Sequence, residues 1–305
     1  MSISAETVKQ LRERTGAGMM ECKRALIETQ GDIEAAAELM RKQGLAKADK
    51  KAARVAAEGV IAARKSADGR AVAAVEVNCE TDFVAREGDF HGFASEVAAL
   101  VLDARPKDLN GLLAAKLPDG QSVDERRRGL IAKIGENITV RRFSVVESDG
   151  PLGVYLHGSR IVSVVALAGG TDELAHDLAM HVAASNPAYL AASDVPADVL
   201  AKEREIETEK TRNEGKPAEM IDRIVDGKLR RFTNAIALLG QPFVKDDKQT
   251  IEKLVTAAGA TIRQFERIEV GAGIEKKQDD FVGEVMAQVK ASSRESESHP
   301  ATKKQ

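Results

Sequence analysis

Between residues 59 and about 273 one pattern occurs twice, and a chain that repeats itself has few ways to fold. In the first half, Gly59-Val60-Ile61 leads through Asp68-Gly69 to the apolar run 72–77 and a helical pattern over 90–102. It closes on Ile134-Gly135-Glu136-Asn137-Ile138-Thr139-Val140-Arg141-Arg142-Phe143. In the second, Gly153-Val154-Tyr155 leads through His157-Gly158 to the apolar run 161–167 and a helix over 172–185. It closes on Gly259-Ala260-Thr261-Ile262-Arg263-Gln264-Phe265. Each half reads strand, turn, strand, helix, then a final strand of alternating polarity. Short glycine turns pair strands antiparallel, and the following helix returns over one sheet face. The expected class is α+β: two related subdomains, 59–148 and 149–278, each with helices on a small antiparallel sheet.

The halves differ at two places. After the first central strand comes Asn78-Cys79-Glu80-Thr81-Asp82-Phe83-Val84; after the second comes only Ala168-Gly169-Gly170-Thr171. The repeated fold does not demand the extra turn. With eight Phe, two Tyr and no Trp, the chain has few rings to spare for it. Phe83 either caps its own core or is offered to another protein. The second half carries an insertion, 195–232, dense in balanced charge (Lys202-Glu203-Arg204-Glu205-Ile206-Glu207) and broken at Gly215-Lys216-Pro217. That pattern predicts a helical hairpin projecting into solvent, laced by ion pairs at helical spacing.

Residues 1–44 read as three short helices. Ser4 caps the first, with Ile3 and Val8 as a hydrophobic staple; Gly16 and Gly18 force a turn into a second over 20–28; Gly31-Asp32 opens the third, with Ile33, Ala36, Ala37 and Met40 on one face. In size and glycine turn this module is similar to ubiquitin-associated (UBA-like) domains. A core so small leans on the main body or on a partner. Residues 45–58 form a basic, Ala/Lys-rich linker, a solvated helix or a stiff tether. Beyond 278, an amphipathic helix is expected over 279–290, with Phe281, Val285 and Val289 on one face. A polar, disordered tail to 305 is expected after it.

A length of 305 residues suits about two domains at roughly 100–150 residues each. A net charge of −3 gives no broad field for nucleic acid, so a partner must be met by local shape and charge. Cys22 and Cys79 form no CxxC or Cys/His cluster, the N-terminus lacks a basic region followed by an apolar core, and no apolar run reaches the roughly 20 residues of a membrane helix. The expectations are a reduced, cytoplasmic setting, no membrane and no direct nucleic acid. No GxxxxGK[ST] loop, GxSxG elbow or HExxH spacing occurs. Thr15-Gly16-Ala17-Gly18 follows a helix rather than a strand and is no phosphate loop. His176 and His181 stand five apart, off a common helical face. The reading is a protein that acts by binding, with no catalytic residue, metal or cofactor of its own. On these residues alone an adaptor built on the helical module, or an RNA binder using the basic linker, also stays open.

Five motifs in order add to this. Leu11-Arg12-Glu13-Arg14-Thr15-Gly16-Ala17-Gly18-Met19-Met20-Glu21-Cys22-Lys23, Asn78-Cys79-Glu80-Thr81-Asp82-Phe83-Val84-Ala85, Ile134-Gly135-Glu136-Asn137-Ile138, His181-Val182-Ala183-Ala184-Ser185 and Gly240-Gln241-Pro242-Phe243-Val244 closely resemble the bacterial translation elongation factor Ts family, from the first helix to about Phe281. The resemblance implies a guanine-nucleotide exchange factor for elongation factor Tu, met in its GDP-bound and nucleotide-free forms. It implies that Arg12, Met19, Met20 and Lys23 dock the partner's nucleotide-binding domain. Thr81, Asp82, Phe83 and Val84 would form a wedge whose Asp82 and Phe83 intrude beside its Mg²⁺ site. Ile134, Gly135 and His157 would support that contact, and Val244 would touch a second partner domain. The charged hairpin looks like the family's coiled-coil arm, used for homodimer formation in some members and for partner contacts in others.

Overall fold

The computed structural model describes residues 3–275, apart from the side chains of 45–47; the helix expected over 279–290 and the tail beyond it lie outside the described residues. The chain divides after Ala272 into two units, and the first carries every element named below.

Three helices come first: α1 (Ala5–Thr15), α2 (Met19–Glu28) and α3 (Ile33–Lys51). The Ser4 hydroxyl accepts from the Thr7 amide at 3.1 Å, Asp32 Oδ1 accepts from the Ala35 amide at 3.0 Å, and Gly16 closes α1 in the left-handed region. Leu11, Cys22, Leu26 and Ala36 form a small buried core, with Ile3 packed against it. The basic stretch continues α3 without a break as far as Lys51, as its Ala and Lys content favours. Ala48 of that continuation is buried in the core of the first sheet, so the module is held to the main body by the helix itself.

The first sheet is antiparallel in the order β1-β2-β3: β1 (Glu58–Lys65), β2 (Ala71–Cys79) and β3 (Thr139–Glu147). Between β2 and β3 lie α4 (Gly88–Ala104), α5 (Leu109–Ala114) and α6 (Val123–Ile134). The second sheet repeats the order with β4 (Leu152–His157), β5 (Ile161–Ala168) and β8 (Thr261–Glu269). Between β5 and β8 come α7 (Asp172–Ser185), the hairpin α8 (Ala197–Asn213) and α9 (Ala218–Ile236), the ribbon β6 (Pro242–Phe243) with β7 (Asp246–Thr250), and α10 (Ile251–Ala257). Of these, the ribbon and α10 have no counterpart in the sequence reading. The hairpin turns at Gly215 and is crossed by Lys228 to Glu207 (3.0 Å) and Arg204 to Asp226 (2.5 Å).

The two sheets pack face to face. Ile61, Val72, Ala74 and Val146 of one meet Leu152, Val162, Val164, Ala166 and Ile268 of the other. The opposite face of β2, through Ala73, Val75 and Val77, packs on Phe90, Phe93 and Val97 of α4; that of β5, through Val165 and Leu167, packs on Leu178 and Val182 of α7. The order of layers is helix, sheet, sheet, helix. Both central strands are therefore buried on two faces, which is why they read as continuous apolar runs rather than alternating ones.

The repeat holds to the level of irregularities. A register shift falls between Glu76 and Val77 in β2 and between Ala166 and Leu167 in β5. Beside each bulge a glycine crosses a carbonyl: a Cβ at Gly59 would stand 2.2 Å from the Val77 oxygen, and one at Gly150 would stand 2.2 Å from the Leu167 oxygen. The structural counterpart of Gly59 is thus Gly150, and the sequence pairing with Gly153 is three residues out of register. Gly153 is needed for another reason, because the α7 backbone at Ala175 passes 2.0 Å from where its Cβ would lie.

At the seam between sheets one carboxylate is fully buried. Glu76 accepts from Arg142 Nε (2.6 Å), Arg141 Nη1 (3.0 Å) and the Gly271 amide (2.8 Å), while Arg142 Nη2 donates to the Glu269 carbonyl at 3.0 Å. Burial alone would raise the Glu76 carboxyl. The Gly271 amide and the two guanidiniums outweigh it and hold Glu76 below the usual carboxylate range.

Candidate functional site

Where β2 ends at Cys79, the chain turns through Glu80-Thr81-Asp82-Phe83 into a single 3-10 turn, Val84–Arg86. Phe83 stands 76% exposed, the most exposed of the large apolar side chains in the described residues. Its neighbours Val84 and Ala85 are buried in the core of the first sheet. The turn is therefore anchored by Val84 from below and presents Phe83 outward. Asp82 is half-exposed and paired with Arg86 at 2.7 Å.

A carboxylate from 55 residues further on holds the backbone of this turn. Glu136 Oε2 accepts from the Glu80 amide (3.1 Å) and the Thr81 amide (3.0 Å), and Oε1 accepts from the Thr81 hydroxyl (2.6 Å). The Thr81 hydroxyl in turn accepts from the Val84 amide at 3.4 Å. Glu80 reciprocates, its Oε1 taking the Asn137 amide at 2.6 Å. Cys79 donates its S–H to the Thr81 carbonyl at 3.2 Å; burial, with the Glu136 and Glu58 carboxylates, pushes the thiol up to about 12, so it stays a donor.

The segment that supplies Glu136 is set by helix termination. Gly135 ends α6 in the left-handed region at φ 91°, where a residue without Cβ costs least, and this reversal swings Glu136 and Asn137 back over the end of β2. Gly135 and Asn137 also hold the end of the module's long helix. Asn137 Nδ2 donates to the Arg54 carbonyl at 2.7 Å, Lys51 Nζ donates to the Gly135 carbonyl, and Arg54 lies 3.5 Å from Glu80 Oε1. Ile134 is partly buried against the first core. His157 is exposed at the end of β4, in the turn whose Arg160 pairs with Glu58 at 2.7 Å, and Glu58 stands opposite Cys79. Ile134, Gly135, His157 and the Phe83 turn are thereby gathered at one end of the two sheets.

On the helical module, Arg12 of α1 and Met19, Met20 and Lys23 of α2 are all exposed. A Cβ at Gly16 would stand 3.5 Å from Lys133 Cδ, so the turn that leads into α2 lies against the last turn of α6, just before Gly135. Ile27, one turn beyond Lys23 and also exposed, extends this apolar face; the sequence reading passed it over, although the i, i+3, i+7 spacing from Met20 carries the signal. Between the module and α4 and α6 runs a groove of about 910 Å³ whose lining mixes Arg24, Glu28, Glu96 and Arg126 with Met40 and Phe93. Among the described residues no group of three or more His, Cys, Asp or Glu could hold a metal, and no helix is long and apolar enough to cross a membrane.

Val244 lies away from these elements in sequence, in the turn between β6 and β7, and is exposed. A fully buried His181 on α7 fixes it. The ring Nδ1 accepts from the Val244 amide at 3.2 Å, so Nε2 carries the proton and meets Gln241 Oε1 at 2.9 Å. Burial pushes the ring's pKa down, which keeps it neutral and able to accept. Sequence reasoning took His181 only as a histidine off a common face with His176 and missed the latch. Of the Glu136 clamp a signal did exist: β3 and β8 align Thr139 with Thr261, but the left-handed glycine after the preceding helix stands four residues before the first and two before the second, so the second half is two residues shorter there and has no counterpart of Glu136. The half without the Phe83 turn also lacks the carboxylate that holds it.

Comparison with known proteins bears directly on this arrangement. The family model described as Elongation factor TS matches residues 80–272, from the first residue of the Phe83 turn to the end of the sheet seam. Curated relatives named Elongation factor Ts include that of Methylococcus capsulatus, 56% identical over 293 residues, covering 96% of this chain and 100% of the relative. That of Alkalilimnicola ehrlichii is 55% identical over the same length with the same coverage. This chain belongs to the elongation factor Ts family. A third relative, from Francisella tularensis subsp. novicida, is 56% identical over 289 residues, 95% of this chain and 99% of its own length. The family model thus takes in the first half from the end of β2 and all of the second half, and the relatives extend the match over β1, β2 and the helical module.

Proposed function

We propose that the chain is a guanine-nucleotide exchange factor of translation elongation, acting on elongation factor Tu in its GDP-bound and nucleotide-free forms, and that the Thr81-Asp82-Phe83-Val84 turn is its wedge. One observation carries the reading: an exposed phenylalanine stands on a turn held by three hydrogen bonds to the Glu136 carboxylate, and that turn belongs to one half of the repeat only. In the wedge, Asp82 and Phe83 are the groups that enter the partner beside its Mg²⁺ site, while Thr81 and Val84 anchor them. Arg12, Met19, Met20 and Lys23 dock the partner's nucleotide-binding domain. Ile134, Gly135 and His157 flank the wedge, and Val244 meets a second domain.

GDP is held chiefly through its phosphates and a bridging Mg²⁺, the largest local charge in such a site. A wedge need not touch the nucleotide. If Phe83 finds a pocket only after the partner's helices have shifted, its burial, about 1.5–3 kcal/mol, accrues to the shifted state alone. Coupling is reciprocal, so the factor by which this chain weakens GDP is the factor by which GDP weakens this chain. No bond is made or broken in this cycle, which makes the protein a binding catalyst and not an enzyme of covalent chemistry. Its setting is the cytoplasm, where its partner works. The hairpin α8–α9 exposes Ile206 and Met220 and offers a surface for a homodimer, read by light scattering with and without residues 195–232.

The test is the loss of labelled GDP from elongation factor Tu with unlabelled nucleotide in excess. The reading expects substoichiometric amounts of this protein to accelerate the loss over many turnovers; equal off-rates with and without it would refute it.

A further inference from the structure

We infer that Glu136 is the positioning residue for Phe83, and that through Gly135 and Asn137 the same loop ties the wedge to the end of the helix that carries the docking module. The inference rests on the wedge reading and adds the group that aims the wedge.

A ring that is 76% exposed has little packing to fix it, so where it can reach is set by its backbone and the few rotamers that backbone allows. That backbone is set by Glu136. Two successive amides, Glu80 and Thr81, donate to one carboxylate oxygen while the Thr81 hydroxyl donates to the other, so one side chain receives three donors of the turn at once. Thr81 passes the restraint on to the Val84 amide at the start of the 3-10 turn, and the Cys79 thiol holds the Thr81 carbonyl from the strand side. Phe83 lies between these two tied residues. The adjacent Asn137 holds the Arg54 carbonyl with its side chain and Glu80 with its amide, and Gly135 takes Lys51. Three consecutive residues thus bind the wedge turn and the module's helix to one point. Docking of the module on a partner therefore fixes where Phe83 points, with no ordering left to be done at the moment of insertion.

The chain has no Trp, so Phe83→Trp supplies a single fluorescent reporter in the turn. Time-resolved anisotropy of Phe83→Trp is expected to show a fast component whose amplitude about doubles when Glu136→Ala is added, with the thermal midpoint little changed. In GDP release from elongation factor Tu, Glu136→Ala is expected to lower the maximal rate about tenfold while the half-saturating concentration moves less than about threefold. In a Phe83→Ala background it is expected to lower the rate no further, because it acts through that ring. Glu136→Gln keeps the length and one acceptor and should restore most of the rate and of the anisotropy; Glu136→Met, which keeps the length and offers no oxygen acceptor, takes the place of Glu136→Ala if the latter lowers the midpoint. An unchanged anisotropy decay in folded Glu136→Ala or Glu136→Met overturns the proposal. So does an equal rate loss with and without Phe83. If Phe83→Ala slows release and the Glu136 variants do not, positioning by Glu136 is refuted and the wedge survives. If Phe83→Ala itself has no effect, the wedge reading falls and the positioning role falls with it.

Discussion

At the scale of single residues, the site is a contrast between one exposed ring and the buried groups beneath it. Cys79 is the clearest of these: fully buried, hydrogen-bonded to Thr81 and pushed up to about 12, it has almost no thiolate at neutral pH. The folded protein at pH 8 should therefore show Cys79 unmodified after hours with iodoacetamide and modified only in denaturant, as read by peptide mass. Rapid labelling of native Cys79 would show that the turn opens. The residue scale is also where sequence and structure part most plainly. Phe83 could be noticed as a ring spent in a turn, but whether it faced inward or outward depended on Val84 and Ala85, which fill the core in its place. Glu136 was inside a motif already singled out, yet its partners lie 55 residues away, and no local pattern records such a contact. The family resemblance put Val84 in the wedge beside Phe83. The 3-10 turn that begins there points it the other way.

At the scale of elements, the strands were legible from their apolar runs and the helices from their caps. What was not read is that β2 and β5 are apolar at every second and every intervening position because each is covered on both faces. The one charge admitted to that interior is Glu76 on β2. Its carboxyl is held below the usual range when folded, so the stabilisation it gives is complete above its unfolded value near 4.3 and is lost as pH falls through the lower folded value. Glu76→Gln should cost about 2–3 kcal/mol at pH 7, since it removes the charge facing Arg141 and Arg142 and leaves one acceptor oxygen where three donors converged, while both guanidiniums keep some contact with water. As pH falls below about 4.3 the difference from the parent should shrink, because the unfolded parent takes up a proton that the folded carboxylate resists. Urea unfolding at pH 7 and pH 3.5 checks both; a constant difference would mean that Glu76 is not the titrating group.

At the scale of the whole molecule, the account is of two copies of one unit fused face to face, of which only one was given a tool. The repeat was legible in the sequence because turn glycines and terminal strands recur in order. Its true register, Gly59 with Gly150, was hidden because equivalence lies in a close approach to a carbonyl and not in the neighbouring side chains. Since the two sheets share a core, they should unfold together: Leu152→Ala, at the seam, is expected to cost about 2–5 kcal/mol and to leave one coincident transition by far-ultraviolet dichroism and calorimetry. Two separated transitions would show that the halves are independent. The central claim is that Phe83 drives nucleotide release instead of merely adding to affinity. Stopped-flow release of fluorescent GDP from elongation factor Tu, with parent and Phe83→Ala each taken to saturation, tests it most directly. The account predicts a maximal rate lowered by about tenfold or more in the variant, with the half-saturating concentration shifted far less. An unchanged maximal rate, with the whole effect in the half-saturating concentration, would contradict it.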